Sequence, residues 1–368
     1  MKKEITFLKK KKHHVKEMNI PSKRRKITQQ ITVENNSHVF LYPILPYDFL
    51  KDLLMTEVVV GEVCDLKSIS NIVVELNNNL PISELAHLKR VKGRNILLFP
   101  LSMCMNVTEV RSYLMKKNVN VSYFKDVFKV IAVPATSPKT REQYNKVKTI
   151  WPCNFHKNDY LEKIITNTIF SQQQLSCHKT YMQIAIDAAY LANSSLRVGA
   201  VVVDPNVNCV VAIGYGNDNE NPCKHAVMIA IDNVAKTQEG GAWTTKTDDR
   251  ETKNVTEDKN TQGIPTILLN NLRNKYSDII FGIPKSSSKI DASESYLCTD
   301  YCLYVTQEPC LMCGMALIHS RIKRVFFGCK NSKGSLESLC QIQNVKELNH
   351  HFEAFGGLLI DECKALFG

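Results

Sequence analysis

The sequence predicts an α/β protein in two parts, a three-layer α/β/α domain over residues 151–368 and a smaller α/β accessory domain over 38–150. Three observations predict it. Short β-branched and aliphatic runs alternate with helix-period segments through both parts. Val198 to Val203 is a near-continuous apolar run, the mark of a central strand covered on both faces. Residues 1–37, by contrast, are basic and then polar through Gln29-Gln30 and Asn35-Asn36-Ser37, so they read as a flexible arm that cannot build a core.

In the accessory domain, Glu57 to Val63, Asn95 to Phe99 and Lys129 to Val133 are the expected strands. Ser68 to Leu76 is a short helix, and Asn106 is placed to cap another that runs through Lys117, its side chain accepting an unpaired first-turn N–H. The larger domain opens with a helix over Tyr181 to Ala192, whose Ile184, Ala188 and Leu191 share a face. The strand Val198 to Val203 turns at Asp204-Pro205-Asn206 and returns as Cys209 to Ile213. A helix starting at Asn221-Pro222 carries His225 in its first turn and runs to about Ala235. Leu303 to Val305 is a strand, Pro309 opens the next helix, where its missing N–H costs nothing, and Arg324 to Phe327 is the strand after it. Between these, about 237–262 is polar and charged and reads as a mobile surface insertion; 264–283 regains some structure.

Composition narrows the class. The chain has 368 residues and a net charge of +11, with apolar and charged fractions of a globular protein. No apolar run reaches about 18 residues, so no membrane span is expected, and the charged amino terminus lacks the apolar region of a secretory signal. Thirteen cysteines, an odd number without a route to an oxidising compartment, are expected as thiols, with Cys64, Cys104 and Cys209 buried. Cys298 and Cys302 fall on one apparent strand without a strong metal spacing. Lys9 to Lys12 and Lys23-Arg24-Arg25-Lys26 concentrate about +9 in the first 26 residues. Such clusters suit a nuclear-import signal, an arm attracted to RNA phosphates, or both, against the plainer reading of a solvated tail. In the accessory domain Lys89, Arg90, Lys92 and Arg94, then Lys139, Arg141, Lys146 and Lys148, are candidate RNA contacts, with a merely solvated face as the alternative.

The chemistry lies in two half-motifs. His225-Ala226-Val227 stands where H-x-E is expected, and Glu308-Pro309-Cys310-Leu311-Met312-Cys313 supplies P-C-x-x-C. His225, Cys310 and Cys313 make a three-ligand Zn2+ site with a fourth position whose occupant the sequence does not name. Cys310 and Cys313 lie on one face at a helix start, where unpaired N–H groups favour thiolate. Either half alone is usually unremarkable; together, each behind a strand, they point to zinc. Where such a site works, a carboxylate takes the proton of the zinc-bound water, a contribution of about 10² to 10⁴ in rate. Val227 can neither donate nor accept. Glu308 accompanies the H-x-E carboxylate in this motif and so has another task, and Asp232 is more than a turn away. The centre is therefore expected to be structural, with no catalytic residue.

These residues, with Ala316-Leu317-Ile318-His319-Ser320-Arg321-Ile322 and Arg324-Val325-Phe326-Phe327-Gly328, resemble the cytidine and tRNA-adenosine deaminase superfamily. The second block resembles its tRNA-adenosine branch. The valine for glutamate, the long amino-terminal part, Trp151-Pro152 and Leu348-Asn349-His350-His351-Phe352 make the chain similar to the non-catalytic subunits of eukaryotic heterodimeric tRNA deaminases, which convert wobble adenosine 34 to inosine. The motifs carry the resemblance over about 150–360; before that it rests on layout. It implies a cytidine deaminase-like fold, a catalytic homologue carrying H-A-E as partner, tRNA held by the accessory domain, and residence in nucleus and cytoplasm. The chain would then be a zinc-binding pseudoenzyme within a hydrolase complex that edits tRNA, not an enzyme on its own. A wobble base lies in a single-stranded loop and is cheaply splayed into a pocket, while the tRNA body is read by shape and phosphate. Two other classes remain: a free-standing RNA-binding scaffold, and an active nucleobase deaminase with a non-standard base. The tail from about Lys346 to Gly368 is expected to cover the unused pocket.

Overall fold

The computed structural model describes residues 41–103, 109–194, 196–243, 259–283 and 297–368. The basic clusters of the arm, Cys104, Asn106 and most of the expected insertion lie outside the described residues. The first part runs β1 (Tyr42–Pro43), α1 (Tyr47–Leu50), β2 (Met55–Val63), α2 (Ile69–Asn79), β3 (Val91–Lys92), β4 (Asn95–Pro100), α3 (Val110–Lys116), β5 (Phe124–Pro134) and α4 (Arg141–Val147). Next come α5 (Asp159–Ile165), α6 (Gln172–Ala189), β6 (Gly199–Asp204), β7 (Cys209–Tyr215) and α7 (Ala226–Thr237). The chain ends with α8 (Thr266–Lys275), β8 (Ile280–Phe281), β9 (Cys302–Gln307), α9 (Leu311–His319), β10 (Arg324–Cys329), β11 (Glu353–Gly356) and α10 (Ile360–Lys364).

The smaller sheet is antiparallel, in the order β3-β4-β2-β5. Side-chain alternation sorts its strands between two cores. Val59, Val63, Ile96 and Leu98 meet Ile72 and Leu76 of α2 and Leu114 of α3. Val58, Val60 and Leu97 meet Val147 of α4 and Trp151, which is fully buried and donates Nε1–H to the Lys89 carbonyl at 2.7 Å.

The larger sheet has seven strands in the order β1-β11-β10-β9-β6-β7-β8. β9, β10 and β11 are parallel, β6 pairs antiparallel with β9 and β7, and β8 is parallel to β7. Alternation makes the three layers. Val201, Val203, Tyr304, Phe326 and Phe355 face α6 and α8. Ala200, Val202, Leu303, Val305 and Phe327 face α7 and α9. On the α6 side Tyr304, Phe326 and Phe355 stack across three strands, with centroids 4.8 and 5.2 Å apart. Burying each such ring is worth about 1.5–3 kcal/mol, which makes this ladder a main support of the sheet.

Several expectations shift. α6 starts nine residues before Tyr181, because Ser171 and Gln174 cap each other's backbone reciprocally and let the polar Gln172–Thr180 stretch enter the helix. Cys64 is exposed: it follows the end of β2, where its N–H bonds to the Tyr123 carbonyl and the pleat no longer turns it inward. Cys209 is buried as expected, while Cys298 precedes β9 rather than lying on it. Tyr42-Pro43, at the start of the expected accessory segment, is an edge strand of the larger sheet. Of the expected insertion, Thr237 closes α7, and 259–261 is a short helical turn leading to α8 and β8.

The tail does not cover the pocket. β11 lies in the sheet between β10 and the edge strand β1, and α10 packs on β10, with Cys363 in the core on the α6 side. Gly328 permits this, since a Cβ there would stand 2.2 Å from the Cys363 Sγ. The tail is thus drawn to an apolar face that needs cover. Among the described residues no helix is long and apolar enough to cross a membrane.

Candidate metal centre

His225 is the N-cap of α7, not a first-turn residue. Its backbone is extended at φ −70°, ψ 151°, and its carbonyl accepts the first helical bond from Ile229 at 3.0 Å. Residues 221–224 turn instead: Asn221 accepts from the Cys223 N–H through its side chain and from the Lys224 N–H through its carbonyl. Under α7 lies Gly214 of β7. A Cβ there would stand 2.3 Å from the Ala226 carbonyl oxygen, so the glycine lets the start of α7 settle on the sheet. Cys310 is likewise the N-cap of α9, whose first residue Leu311 comes two later than in a helix opened by Pro309, and Cys313 lies in the first turn.

Two helix starts therefore converge. His225 Nδ1 lies 3.5 Å from Cys310 Sγ and 3.6 Å from Cys313 Sγ, and the three donor atoms all lie within 4.8 Å of one another. A tetrahedral zinc with ordinary Zn–N and Zn–S bonds sets its nitrogen and sulfur ligands about 3.6 Å apart, so the donors fit such an ion without rearrangement. Donor chemistry agrees, since two thiolates and an imidazole suit zinc over a hard cation. A hydrogen bond from the Cys313 thiol, aided by the Cys313 N–H and by His225, holds Cys310 down to about 5 against its burial. The reciprocal hydrogen bond, together with burial, drives Cys313 far above the ordinary thiol range. A bound dication would favour the thiolate form of both sulfurs.

Beside the donors a cleft is lined by Ser194, Asp218, Val227, Gln307, Glu308 and Asn331, among others. Val227 is 2 % exposed and belongs to the apolar core beneath α7. Glu308 is 1 % exposed and fully engaged. Its Oε1 accepts the N–H groups of Leu336, Glu337 and Ser338 at 3.0, 2.7 and 3.0 Å. Oε2 accepts the Asn331 N–H at 3.3 Å and the Ser338 hydroxyl. Its task is to grip a loop. Asp232 is engaged too: Oδ1 accepts the Ala242 N–H at 2.5 Å and Oδ2 pairs with Lys236 at 3.0 Å, which anchors the start of the insertion.

Sequence reasoning missed Asp218, whose Oδ1 is buried in the cleft wall with no hydrogen-bond partner among the described residues. No motif marks it. It also missed Lys224 over the Trp243 ring at 5.8 Å, a contact between residues 19 apart. Neither His of the late block ligates. His350 Nε2 bonds the Ile322 carbonyl at 2.7 Å and His351 Nδ1 the Gln343 carbonyl at 3.0 Å.

The basic residues separate by role. Arg90 is a structural peg, donating to the Leu97, Leu98 and Leu80 carbonyls at 3.3, 3.2 and 2.6 Å; burial lowers it to about 10. Its side chain is spent inside the fold, so it is withdrawn as an RNA contact. Lys92 reaches the Thr149 and Ile150 carbonyls, and the Lys89 N–H bonds to Pro152, which brings the two basic runs to one edge of the small sheet. Lys89 and Arg94 are exposed there. Lys146 bridges Asp52 and Glu142, Lys148 bonds Asn145, and Lys139 pairs with Asp48. The Arg141 backbone N–H bonds Glu162.

Comparison with known proteins agrees with this geometry. Residues 175–329 match the family model described as the cytidine and deoxycytidylate deaminase zinc-binding region. A Danio rerio protein named probable inactive tRNA-specific adenosine deaminase-like protein 3 is 30% identical over 343 residues, covering 88% of this chain and 93% of its own. The chain belongs to that family. Its Mus musculus member is 32% identical over 317 residues, covering 83% of this chain and 85% of its own. A Schizosaccharomyces pombe relative, named tRNA-specific adenosine deaminase subunit tad3, is 25% identical, covering 73% of this chain and 72% of its own. The family's deaminase fold thus coincides here with a metal cluster that has no carboxylate at its H-x-E position.

Proposed function

We propose that this chain is the non-catalytic, zinc-binding subunit of a heterodimeric tRNA deaminase that converts wobble adenosine 34 to inosine. His225, Cys310 and Cys313 hold the zinc; the catalytic partner is a homologue carrying H-A-E. One observation carries the reading. Val227 occupies the proton-shuttle position as a packed aliphatic residue, while Glu308, the nearest glutamate of the motif, is consumed by five donors. The names of the relatives support the tRNA substrate and the role of subunit. Exposed Leu311, Met312 and Leu339 near the metal motif support a protein partner on that side, since isolated apolar side chains need no explanation but a group beside one site does. Lys89 and Arg94 support tRNA contact through the accessory part, and the arm's two basic clusters support residence in nucleus as well as cytoplasm.

The test is inosine formation on adenosine-34 tRNA by the purified chain, by the H-A-E homologue and by both together. Activity only in the mixture is expected. Rapid turnover by this chain alone ends the reading and favours a second one, to which Asp218 gives substance. Its carboxylate lines the same cleft with one oxygen unpartnered among the described residues, and Asp218→Asn would then abolish that turnover.

A further inference from the structure

The metal motif carries a loop on its back. Ser335 bonds the Pro309 carbonyl through both its N–H, at 2.8 Å, and its hydroxyl, at 3.0 Å; the hydroxyl also reaches the Cys310 carbonyl at 3.1 Å. Cys310 and Gly334 form an isolated β-bridge. Glu308, two residues before Cys310, takes three consecutive N–H groups of 336–338. The fit is close at Gly334, where a Cβ would stand 2.1 Å from the Glu308 carboxyl carbon. Residues 331–338 therefore go where the Glu308–Cys310 segment places them.

The far side of this loop holds the beginning of the described chain. Glu337 Oε2 accepts the Tyr42 hydroxyl at 2.9 Å, and Oε1 pairs with Lys330 at 2.5 Å. The Lys330 ammonium also lies over the Tyr42 ring, 5.7 Å from its centroid. That ring covers Gly356, whose added Cβ would meet Tyr42 Cζ at 2.8 Å. β1 is only two residues long and pairs with one neighbour, Tyr42 opposite Gly356 and Pro43 opposite Phe355. Proline gives the ladder no N–H, so this short edge strand is held by buried Leu41 and Ile44, by the Ile44 N–H on the Ala354 carbonyl at 2.8 Å, and by Tyr42. The contacts of Tyr42 are the part of that hold that leads to the 331–338 loop. From β1 the chain passes through α1, held by Gln143 at the Asp48 and Lys51 carbonyls, into the small sheet.

We propose that metal binding by His225, Cys310 and Cys313 and docking of β1 are one coupled equilibrium, transmitted by Glu308, the 331–338 loop and the Glu337–Tyr42 contact. The proposal deepens, and rests on, the reading of the centre as a non-catalytic zinc site. The ion cross-links the two helix starts, the cross-link fixes the loop, and the loop clamps one of the two stretches, with 148–171, through which the accessory part is tied to the larger sheet. Coupling of this kind is reciprocal: whatever loosens β1 weakens metal binding by the same factor.

The test uses the full chain with its co-purified partner, zinc-loaded or stripped by a chelator, with metal content read by mass spectrometry and amide hydrogen exchange followed by peptide. Zinc removal is expected to speed exchange at least tenfold in 41–45 and 331–340 while Val58–Val63 in β2 stays unchanged. Tyr42→Phe leaves every metal donor in place and is expected to lower zinc affinity at least threefold in chelator competition. Unchanged exchange at 41–45 on zinc removal, equal acceleration across both sheets, or wild-type zinc affinity in Tyr42→Phe would each overturn the coupling. A zinc-containing chain inactive alone, with unaltered β1 exchange, would sink only this proposal and leave the subunit reading standing.

Discussion

Glu308 offers the sharpest test of what the metal motif has become. Its carboxylate meets five donors, and truncation to alanine strands all of them. They are not equal. The Leu336 N–H belongs to a fully buried residue and bears most of the cost of losing a charged acceptor, about 1–3 kcal/mol. Asn331, Glu337 and Ser338 lie nearer solvent, and water entering the vacated space can pair them, which leaves about 0.5–1 kcal/mol apiece. Glu308→Ala is thus expected to cost about 4 kcal/mol, a large share of the roughly 5–15 kcal/mol typical of a domain. Glu308→Gln separates charge from geometry. Its amide oxygen can keep the three N–H groups on Oε1, while the NH2 replaces Oε2 before Asn331 and Ser338, so about 1–2 kcal/mol is expected. Urea unfolding of the zinc-loaded chain reads both. An alanine variant within 1 kcal/mol of wild type, or a glutamine variant as unstable as the alanine one, would refute the assignment of Glu308 as a loop grip.

Other outcomes follow from the same geometry. Cys310→Ala is expected to empty the metal site and lower Tm by roughly 6–12 °C, the equivalent of about 3 kcal/mol in a domain of this size; metal analysis by mass spectrometry with calorimetry checks both. Val227→Ala is expected to leave the rate of the assembled complex within about twofold, because the side chain touches no proton in the reaction; a drop of a hundredfold in an inosine assay would assign it a role this structure does not give it. His178 is half-buried against Phe326, with Nδ1 bonded to Tyr304 at 2.7 Å, and burial lowers it to about 4. Its folded pKa lies below the unfolded value of about 6.5, so the unfolded state gains the proton first. Stability is unaffected above about pH 6.5 and falls as pH drops toward 4, by about 3 kcal/mol in all. His178→Gln should flatten that part of the stability curve, and an unchanged slope between pH 6.5 and 4 in denaturant titrations would discard the assignment.

What was legible in the sequence was what local chemistry dictates. The strands β6, β7, β9 and β10 announce themselves as buried apolar runs, because both their faces need covering. The donor trio was legible because Cys310 and Cys313 lie three residues apart in P-C-x-x-C and His225 heads the other half-motif, although 85 residues separate it from Cys310. The long-range pairings were not. Nothing in Tyr42-Pro43 shows that it joins a strand more than three hundred residues later, since two residues carry no periodicity. The tail's expected cover over the pocket failed for a similar reason: its apolar residues are drawn to the exposed face of β10, and which face lies open is a property of the topology. Arg90 looked like its basic neighbours, yet the Leu80 carbonyl at the end of α2 and the Leu97 and Leu98 carbonyls of β4 claimed it. His225 slipped from first turn to N-cap because the Asn221 turn, invisible in residue periodicity, closes before the helix begins.

A metal site without its proton shuttle is coherent once the burial at Val227 is considered. A carboxylate at that position, between the apolar core and the cleft, would cost stability unless it were hydrogen-bonded on the cleft side. With valine the position packs, and the site's remaining value is mechanical. The donors come from the starts of α7 and α9, which already pack on each other, so one bound ion would cross-link them at the point where each helix meets the cleft. The same motif half supplies Glu308, whose five contacts set the adjoining loop. Metal and carboxylate thus act on one short stretch, 308–313, from opposite sides. A bound zinc would fix its sulfurs as the loop fixes its backbone, and neither function requires a reactive water.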